Sequence, residues 1–230
     1  LPYYDRGLAG PVELKELIDF MGSDEPANKA RTQSGEFINY FPCKKVKITV
    51  DSAAVMANHV IRPEIANQIV KTMEFEIPGQ YLMKNDLMIL NILANNNWKR
   101  PIYFTSTQEL EELGLDKYVR MEGLSYRLVP VENSNVQLDL SYKNIMSQFA
   151  YGNAQQKGVF YDEENRRHLN SLRQAHAVAA LSLAQTNRKD SARKILRKYD
   201  SNVQEVNMPY GFTSNRGNMH NRISLTFLYA

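Results

Sequence analysis

Two repeating patterns of apolar and polar residues follow one another along the first half of the chain. Residues 45–50 and 73–77 alternate between apolar and polar side chains, and this period of two predicts half-buried strands. Across residues 83–94 the apolar side chains recur every three or four positions, which predicts a helix that the polar residues 95–97 end. Residues 102–105 are β-branched and aromatic, as strand residues tend to be. We interpret this order of strand, helix and strand as a βαβ unit.

Shorter elements flank this unit on both sides. Helices are predicted at residues 13–21 and 108–113, and each is followed by a glycine, the residue that most favours a helix stop. A further strand is predicted at residues 124–129, before a proline. Residues 1–132 are therefore predicted to form an α/β domain, in which helices flank a mixed sheet.

Beyond residue 132 the strand pattern gives way to helical periodicity. The helices are predicted at residues 142–149, 163–185 and 189–199. The last two form a predicted hairpin, in which Ala180 and Ala192 are small enough to let the helices approach closely, as tetratricopeptide repeats require. Residues 133–230 are thus predicted to be an all-α, tetratricopeptide-like segment. Residues 218–230 resemble the first helix of another unit, so we expect the segment to be truncated at its C-terminus.

Charge and cysteine content remove several classes of function. The chain has 28 Lys and Arg against 25 Asp and Glu, a net charge of +3, and the two signs are interleaved, so no nucleic-acid partner is predicted. The densest basic run, residues 188–198, has the spacing of a solvated helix face. Cys43 is the only cysteine, so no disulfide forms within the chain. The longest uncharged run, residues 174–187, is too short to span a bilayer.

Motifs that carry catalysis are missing from the sequence. It has no phosphate loop, dinucleotide fingerprint, nucleophile elbow or zinc-binding His-Glu-x-x-His helix. Residues 191–194 match Ser-x-x-Lys, but the match lies on the predicted hairpin helix, where packing explains it. The acidic run at residues 162–164 falls where a helix N-terminus favours negative charge. We predict no catalytic residue and no cofactor for this chain.

The four histidines do not form a metal site. No two of them stand three or four residues apart, as paired ligands on one helix face would. Glu164 precedes His168 by four residues, but one carboxylate and one imidazole make an incomplete site. No metal ligand is therefore predicted.

One loop combines the residue types that bind small polar ligands. It follows the helix at residues 83–94 and contains Asn96, Asn97, Trp98, Lys99 and Arg100, which sugars and acidic groups can contact. The alternative is structural, with the asparagines ending the helix, Trp98 packed under the edge of the sheet and the two cations solvated. Both interpretations stay open at this point.

Five segments carry a resemblance to a known family. They are YLMKNDLMIL at residues 81–90, NNWKRPIYF at 96–104, GEFINYFP at 35–42, LDKY at 115–118 and YRLVP at 126–130. Together they resemble the C-terminal region of an uncharacterised bacterial membrane protein family, whose multi-span N-terminal part is similar to protein O-mannosyltransferases. The resemblance implies that transferase chemistry belongs to a membrane portion that this chain lacks. It also implies a periplasmic or extracytoplasmic location, tethered by that portion of the same polypeptide.

Three hypotheses about function follow from these observations. The first is a noncatalytic recognition module of a glycosyltransferase-like membrane protein, whose helical repeats bind an acceptor protein. The second is a glycan-binding or transferase-assisting domain centred on Asn97, Trp98 and Arg100. The third is an independent hydrolase assembled from residues that are distant in sequence.

Overall fold

The computed structural model of the chain describes residues 1–134 and 136–209. These residues form two compact units. Unit 1 contains residues 1–120 and 126–134, and unit 2 contains residues 121–125 and 136–209. The helix predicted at residues 218–230 lies outside the described residues.

The strands are short, and only two of those in the described residues reach five residues. They are β1 (Val12–Glu13), β2 (Ala30–Arg31), β3 (Phe37–Ile38), β4 (Lys45–Thr49), β5 (Thr72–Glu76), β6 (Tyr103–Phe104), β7 (Val119–Met121) and β8 (Tyr126–Leu128). The α-helices are α1 (Leu14–Met21), α2 (Ser52–Ala57), α3 (Lys84–Asn96), α4 (Gln108–Leu113), α5 (Leu138–Ser147), α6 (Glu163–Gln185) and α7 (Lys189–Asn202). Short 3₁₀ helices occur at Pro26–Asn28, Pro63–Gln68 and Asp116–Tyr118.

The first sheet has the order β1-β4-β5 and is mixed, as predicted. β1 runs parallel to β4, whereas β4 and β5 are antiparallel, with Val46 opposite Phe75 and Ile48 opposite Met73. Val46, Met73 and Phe75 are buried. The alternation that predicted half-buried strands at residues 45–50 and 73–77 is therefore confirmed.

The predicted βαβ unit is wrong. β5 belongs to the first sheet, whereas β6 lies in a second sheet of order β6-β8-β7, antiparallel to β8. On the edge of β5 that faces away from β4, the side chain of Tyr118 contacts the backbone of Glu74. The Glu74 N–H donates to the Tyr118 hydroxyl at 2.9 Å, and that hydroxyl lies 3.2 Å from the Glu74 carbonyl oxygen. At Glu74, therefore, a side chain and not a neighbouring strand contacts the backbone of β5.

Local capping residues set several helix ends. The carboxylate of Asp162 accepts from the Asn165 N–H at 2.8 Å, which begins α6 at the predicted residue. α4 ends at Gly114 in the left-handed conformation, also as predicted. α5 begins one turn earlier than predicted, because the Gln137 side chain accepts from the Leu140 N–H at 3.1 Å.

Each unit has its own apolar core. In unit 1, α1 and α3 pack together and bury Leu14, Leu17, Leu90 and Leu93 in a cluster that includes the sheet residues. In unit 2, α6 and α7 pack closely against each other, and α5 packs on both.

The small residues of the predicted hairpin lie inside unit 2. Ala180 lies on α6 and Ala192 on α7, and both are buried in the apolar cluster that these packed helices share. The helical character predicted for the C-terminal part is confirmed, and its identity as a tetratricopeptide-like repeat stays a prediction. None of the helices described here combines the length and the apolar character needed to cross a bilayer.

Candidate functional site

The loop that follows α3 is closed by one of the predicted ligand-binding residues. Asn97 and Trp98 both have positive φ angles, of 40° and 59°, so the chain turns sharply after α3. The Asn96 side chain then bridges the turn. Its Nδ2 donates to the Arg100 carbonyl oxygen at 2.8 Å, and its Oδ1 accepts from the Arg100 N–H at 3.2 Å. Asn96 thereby holds the loop in one shape and acts as a structural residue there.

This loop borders an open cavity of about 250 Å³ in unit 1, which we call the Trp98 cavity. Its apolar lining comes from residues of α1, β4, α3, β8 and the loop before β6: Leu14, Ile48, Leu93, Ala94, Trp98, Ile102 and Leu128. Its polar lining comes from Glu13, Lys15, Thr49, Asn96 and Asn97. The structure thus brings three of the five predicted residues to the cavity, and Lys99 and Arg100 are exposed residues outside its lining.

Trp98 itself is mostly enclosed by the protein. It keeps 9% of its surface exposed and belongs to the core cluster of unit 1. A ligand in the cavity therefore meets only a small part of the indole, together with the aliphatic side chains around it. Stacking of a sugar on a fully open indole face is not available in this geometry.

The polar lining of the cavity combines an acid, a base and amides. The Glu13 carboxylate accepts from the Thr49 N–H and from the Thr49 hydroxyl, each at 3.0 Å, and so ties β1 to the end of β4. A carboxylate has about four acceptor positions, so Glu13 retains capacity for a ligand donor. Lys15 and Asn97 are exposed and supply donors. Sequence patterns did not identify Glu13, Lys15 or Thr49, because they lie far from the loop along the chain.

Among the described residues, the other polar groups named from the sequence lie outside the lining of the Trp98 cavity. Ser191 and Lys194 lie on α7, and Lys194 is exposed. His168 is exposed and lies 3.7 Å from the Glu164 carboxylate on the same helix. Within the described residues, no three His, Cys, Asp or Glu side chains come together as a metal site would require. His220 lies outside the described residues.

His176, in contrast, sits in a closed hydrogen-bonded network in unit 2. It is fully buried, its Nδ1 lies 2.7 Å from the Leu172 carbonyl oxygen, and its Nε2 lies 2.9 Å from the Tyr151 hydroxyl. Because a carbonyl oxygen only accepts, Nδ1 carries the proton and Nε2 accepts from Tyr151. Burial lowers the pKa of His176 to about 4, the Leu172 hydrogen bond raises it, and the nearby charges of Lys198 and Asp200 act in opposite directions. His176 is therefore a neutral structural residue at neutral pH.

This network predicts that unit 2 loses stability in acid. The unfolded chain binds a proton at His176 below a pKa of about 6.5, whereas the folded chain does so only below about 4. The free energy of unfolding is thus expected to fall as the pH drops from about 6.5 to about 4, by about 3 kcal/mol in all. Urea unfolding followed by far-UV circular dichroism at several pH values measures this slope.

Two variants separate His176 from the carboxyl groups that titrate in the same pH range. His176→Gln should flatten the slope, whatever its effect on stability at neutral pH. His168→Gln, a change at an exposed histidine of the same helix, should leave the slope as it is. An unchanged slope in His176→Gln would show that other groups cause the acid sensitivity.

A comparison with known protein families shows which family the chain matches. Residues 2–148 match the family described as TMEM260-associated domain 2. The matched range contains every residue that lines the Trp98 cavity. No curated protein and no solved structure matches the chain.

Proposed function

Because the chain belongs to the TMEM260-associated domain 2 family, which is named for a membrane protein, we propose that it is a noncatalytic recognition module of such a protein. In this proposal the module lies on the extracytoplasmic side, and the membrane portion of the same polypeptide supplies glycosyltransferase-like chemistry. The observation that carries the proposal is the Trp98 cavity, where loop residues 96–98 meet polar groups from β1, α1 and β4.

The size and lining of the cavity favour a single sugar ring as its ligand. Pockets for small molecules usually span about 300–1,000 Å³. At about 250 Å³ the Trp98 cavity falls just below this range and suits one ring better than an oligosaccharide. A pyranose offers a C–H face to the apolar lining and hydroxyl groups to Glu13, Lys15 and Asn97. The ligand class is therefore a glycan end or a monosaccharide.

The same lining argues against hydrolysis at this site. Glycoside hydrolases generally use two carboxyl groups, one on each side of the scissile bond. Glu13 is the only carboxylate among the described residues that line the cavity, and it already accepts two hydrogen bonds from Thr49. Binding without bond cleavage is the chemistry that this set of side chains supports.

Filling the cavity is expected to abolish binding while the fold persists. Ala94→Leu adds three carbon atoms to a half-buried residue of the lining, and a sugar ring then has no room. We expect affinity to fall at least about tenfold, with a change in stability of no more than about 1–3 kcal/mol. Trp98 is the only tryptophan of the chain, so its fluorescence during titration with a panel of methyl glycosides reports on this cavity alone.

The matched control is Ala53→Leu, the same substitution at an exposed alanine of α2 that lies outside the cavity lining. It should bind like the wild-type chain. If no glycoside of the panel changes the Trp98 signal of the wild-type chain, or if Ala94→Leu binds as tightly as Ala53→Leu, the proposed ligand site is wrong.

A second candidate function is protein binding by the helices of unit 2. The observation that favours it is the basic outer face of α7, where Lys189, Arg193, Lys194 and Arg197 are exposed. Such a face fits an acidic segment of an acceptor protein. Binding there would weaken with added salt and would not change in Ala94→Leu, which distinguishes it from the Trp98 cavity.

A further inference from the structure

A second concave surface lies in unit 1, between the segment that leads into α3 and the helix α4. We call it the α3–α4 cleft and define it by Tyr81, Met83, Asp86, Gln108, Glu111 and Glu112. Its volume is about 560 Å³, within the usual range for a binding pocket. It shares no lining residue with the Trp98 cavity, so the two surfaces can be tested separately.

One side of the cleft exposes large apolar side chains on a fixed backbone. Tyr81 is 68% exposed and Met83 is 63% exposed, whereas Leu82 between them is buried. The backbone on either side is hydrogen-bonded, since the Tyr3 N–H donates to the Gln80 carbonyl oxygen at 2.9 Å and the Met83 N–H donates to the Asp86 carboxylate at 2.7 Å. The exposure of Tyr81 and Met83 is thus a property of an ordered surface. Tyrosine and methionine are enriched in the centres of protein interfaces.

The other side of the cleft is acidic. Glu111 and Glu112 are exposed on α4, and Glu112 accepts from the Gln108 side chain at 2.9 Å. Asp86 is largely buried, and its carboxylate is engaged by the Met83 N–H and by the Asn85 amide at 3.1 Å. Among the described residues that line the cleft there is no Lys, Arg or His, and Lys84, the next residue along α3, is outside the lining. An incoming cation therefore meets two carboxylates without a competing basic group in the cleft.

These two sides together define the chemistry of an occupant. A lysine or arginine side chain has an apolar stem for Met83 and a cationic end for Glu111 and Glu112, and the ring of Tyr81 adds a cation–π partner. A small organic cation would use the acidic side but leave the two exposed apolar side chains uncovered. A segment of a protein, with an apolar residue next to the basic one, covers both.

We propose that the α3–α4 cleft binds a segment of a partner protein in which a basic residue stands beside an apolar residue. Random heptapeptides displayed on phage, selected on the whole chain and then counter-selected on the double variant Glu111→Gln/Glu112→Gln, provide the test. Glutamine keeps the shape of each side chain and removes its charge. The enriched peptides should carry Arg or Lys next to an apolar residue.

Each enriched peptide is then titrated, and its binding should weaken about two- to fivefold in Glu111→Gln/Glu112→Gln, as expected for exposed charge pairs. Binding should also weaken about two- to fivefold in Tyr81→Ala, since exposed cation–π contacts contribute about 0.5–1 kcal/mol. The control variant Glu36→Gln/Glu64→Gln removes the same charge from two exposed glutamates outside the cleft, and it should bind like the wild-type chain.

Three results would overturn the proposal. They are a selection without enrichment of basic residues, equal binding by the cleft variant and the control variant, and equal binding by an enriched peptide and free arginine amide. None of these results depends on sugar binding at the Trp98 cavity, because the fluorescence assay of that cavity uses different variants and a different ligand.

Discussion

Replacing Gly114 by alanine is expected to destabilise unit 1 by at least about 3 kcal/mol. Gly114 ends α4 with a φ of +70°, a conformation that costs an L-residue about 1 kcal/mol. A Cβ atom there would also lie 2.1 Å from the Glu76 carbonyl oxygen. Glu76 belongs to β5 and pairs with Lys45 of β4, so the clash cannot be relieved without disturbing the sheet. The clash with Glu76 adds to the cost of the positive φ, so we expect a larger loss of stability for this substitution than for the others.

The measurement is the midpoint of thermal unfolding, followed by the fluorescence of Trp98, which reports on unit 1. A loss of about 3 kcal/mol corresponds to a decrease of about 6–12 °C for a protein of this size. Gly7→Ala is the matched control, since Gly7 has a φ of +66° and no atom within 4 Å of the added Cβ. Gly7→Ala should therefore lower the stability only by the cost of the positive φ, about 1 kcal/mol. Equal midpoints for the two variants would show that α4 does not hold Gly114 against β5.

Replacing Arg173 by alanine is expected to destabilise unit 2 by about 3 kcal/mol. Arg173 lies on α6 and is 8% exposed. Its guanidinium donates to the Tyr199 hydroxyl at 3.1 Å, to the Pro209 carbonyl oxygen at 3.0 Å and to the Met208 carbonyl oxygen. It therefore joins α6 to α7 and to the segment that follows α7. Removing the side chain leaves the acceptors on the buried residues Tyr199 and Met208 without this donor, and each such loss is costly.

Hydrogen exchange of the α6 and α7 amides measures this effect, because it reports on unit 2 separately from unit 1. Arg193→Ala on α7 is the control. Arg193 pairs with Asp190 at 3.3 Å, but both side chains are largely exposed, so this change should cost less than about 1 kcal/mol. If the α6 and α7 amides are protected from exchange equally well in Arg173→Ala and in Arg193→Ala, the buried guanidinium does not contribute substantially to the stability of unit 2.

The helix ends show how far local sequence signals reach. The bounds of α6, Glu163–Gln185, agree with the prediction, because a capping aspartate, an apolar stripe and a final turn are all encoded within the element itself. α4 and its Gly114 stop are predicted for the same reason. In α5 a glutamine side chain acted as the N-cap, a role for which Ser, Thr, Asp and Asn are the usual residues.

The Trp98 cavity shows what local sequence signals could not predict. The unusual composition of the loop identified Asn96, Asn97 and Trp98, which line the cavity, and the same reasoning included Lys99 and Arg100, which do not. Glu13, Lys15 and Thr49 join the lining because β1 pairs with β4 and α1 packs on α3. The residues next to Glu13 in the sequence do not indicate that Glu13 contacts another element. Only the fold therefore identifies Glu13 as a residue of the cavity.

The sequence by itself determined most of the described helices, though not α2, together with the two longer strands, the order of a mixed α/β part and a helical part, and the loop that carries Trp98. These features depend on interactions between residues that are close along the chain, and their periodicity is visible there. Only the tertiary structure decided which strands pair, since β5 and β6 lie in different sheets and the Glu74 N–H of β5 donates to the hydroxyl of Tyr118. The tertiary structure also decided where the Trp98 cavity and the α3–α4 cleft form, because their side chains come from elements that are distant along the chain. A local pattern indicates that a face is buried, but it does not indicate which element that face packs against, since the hydrophobic effect is non-directional.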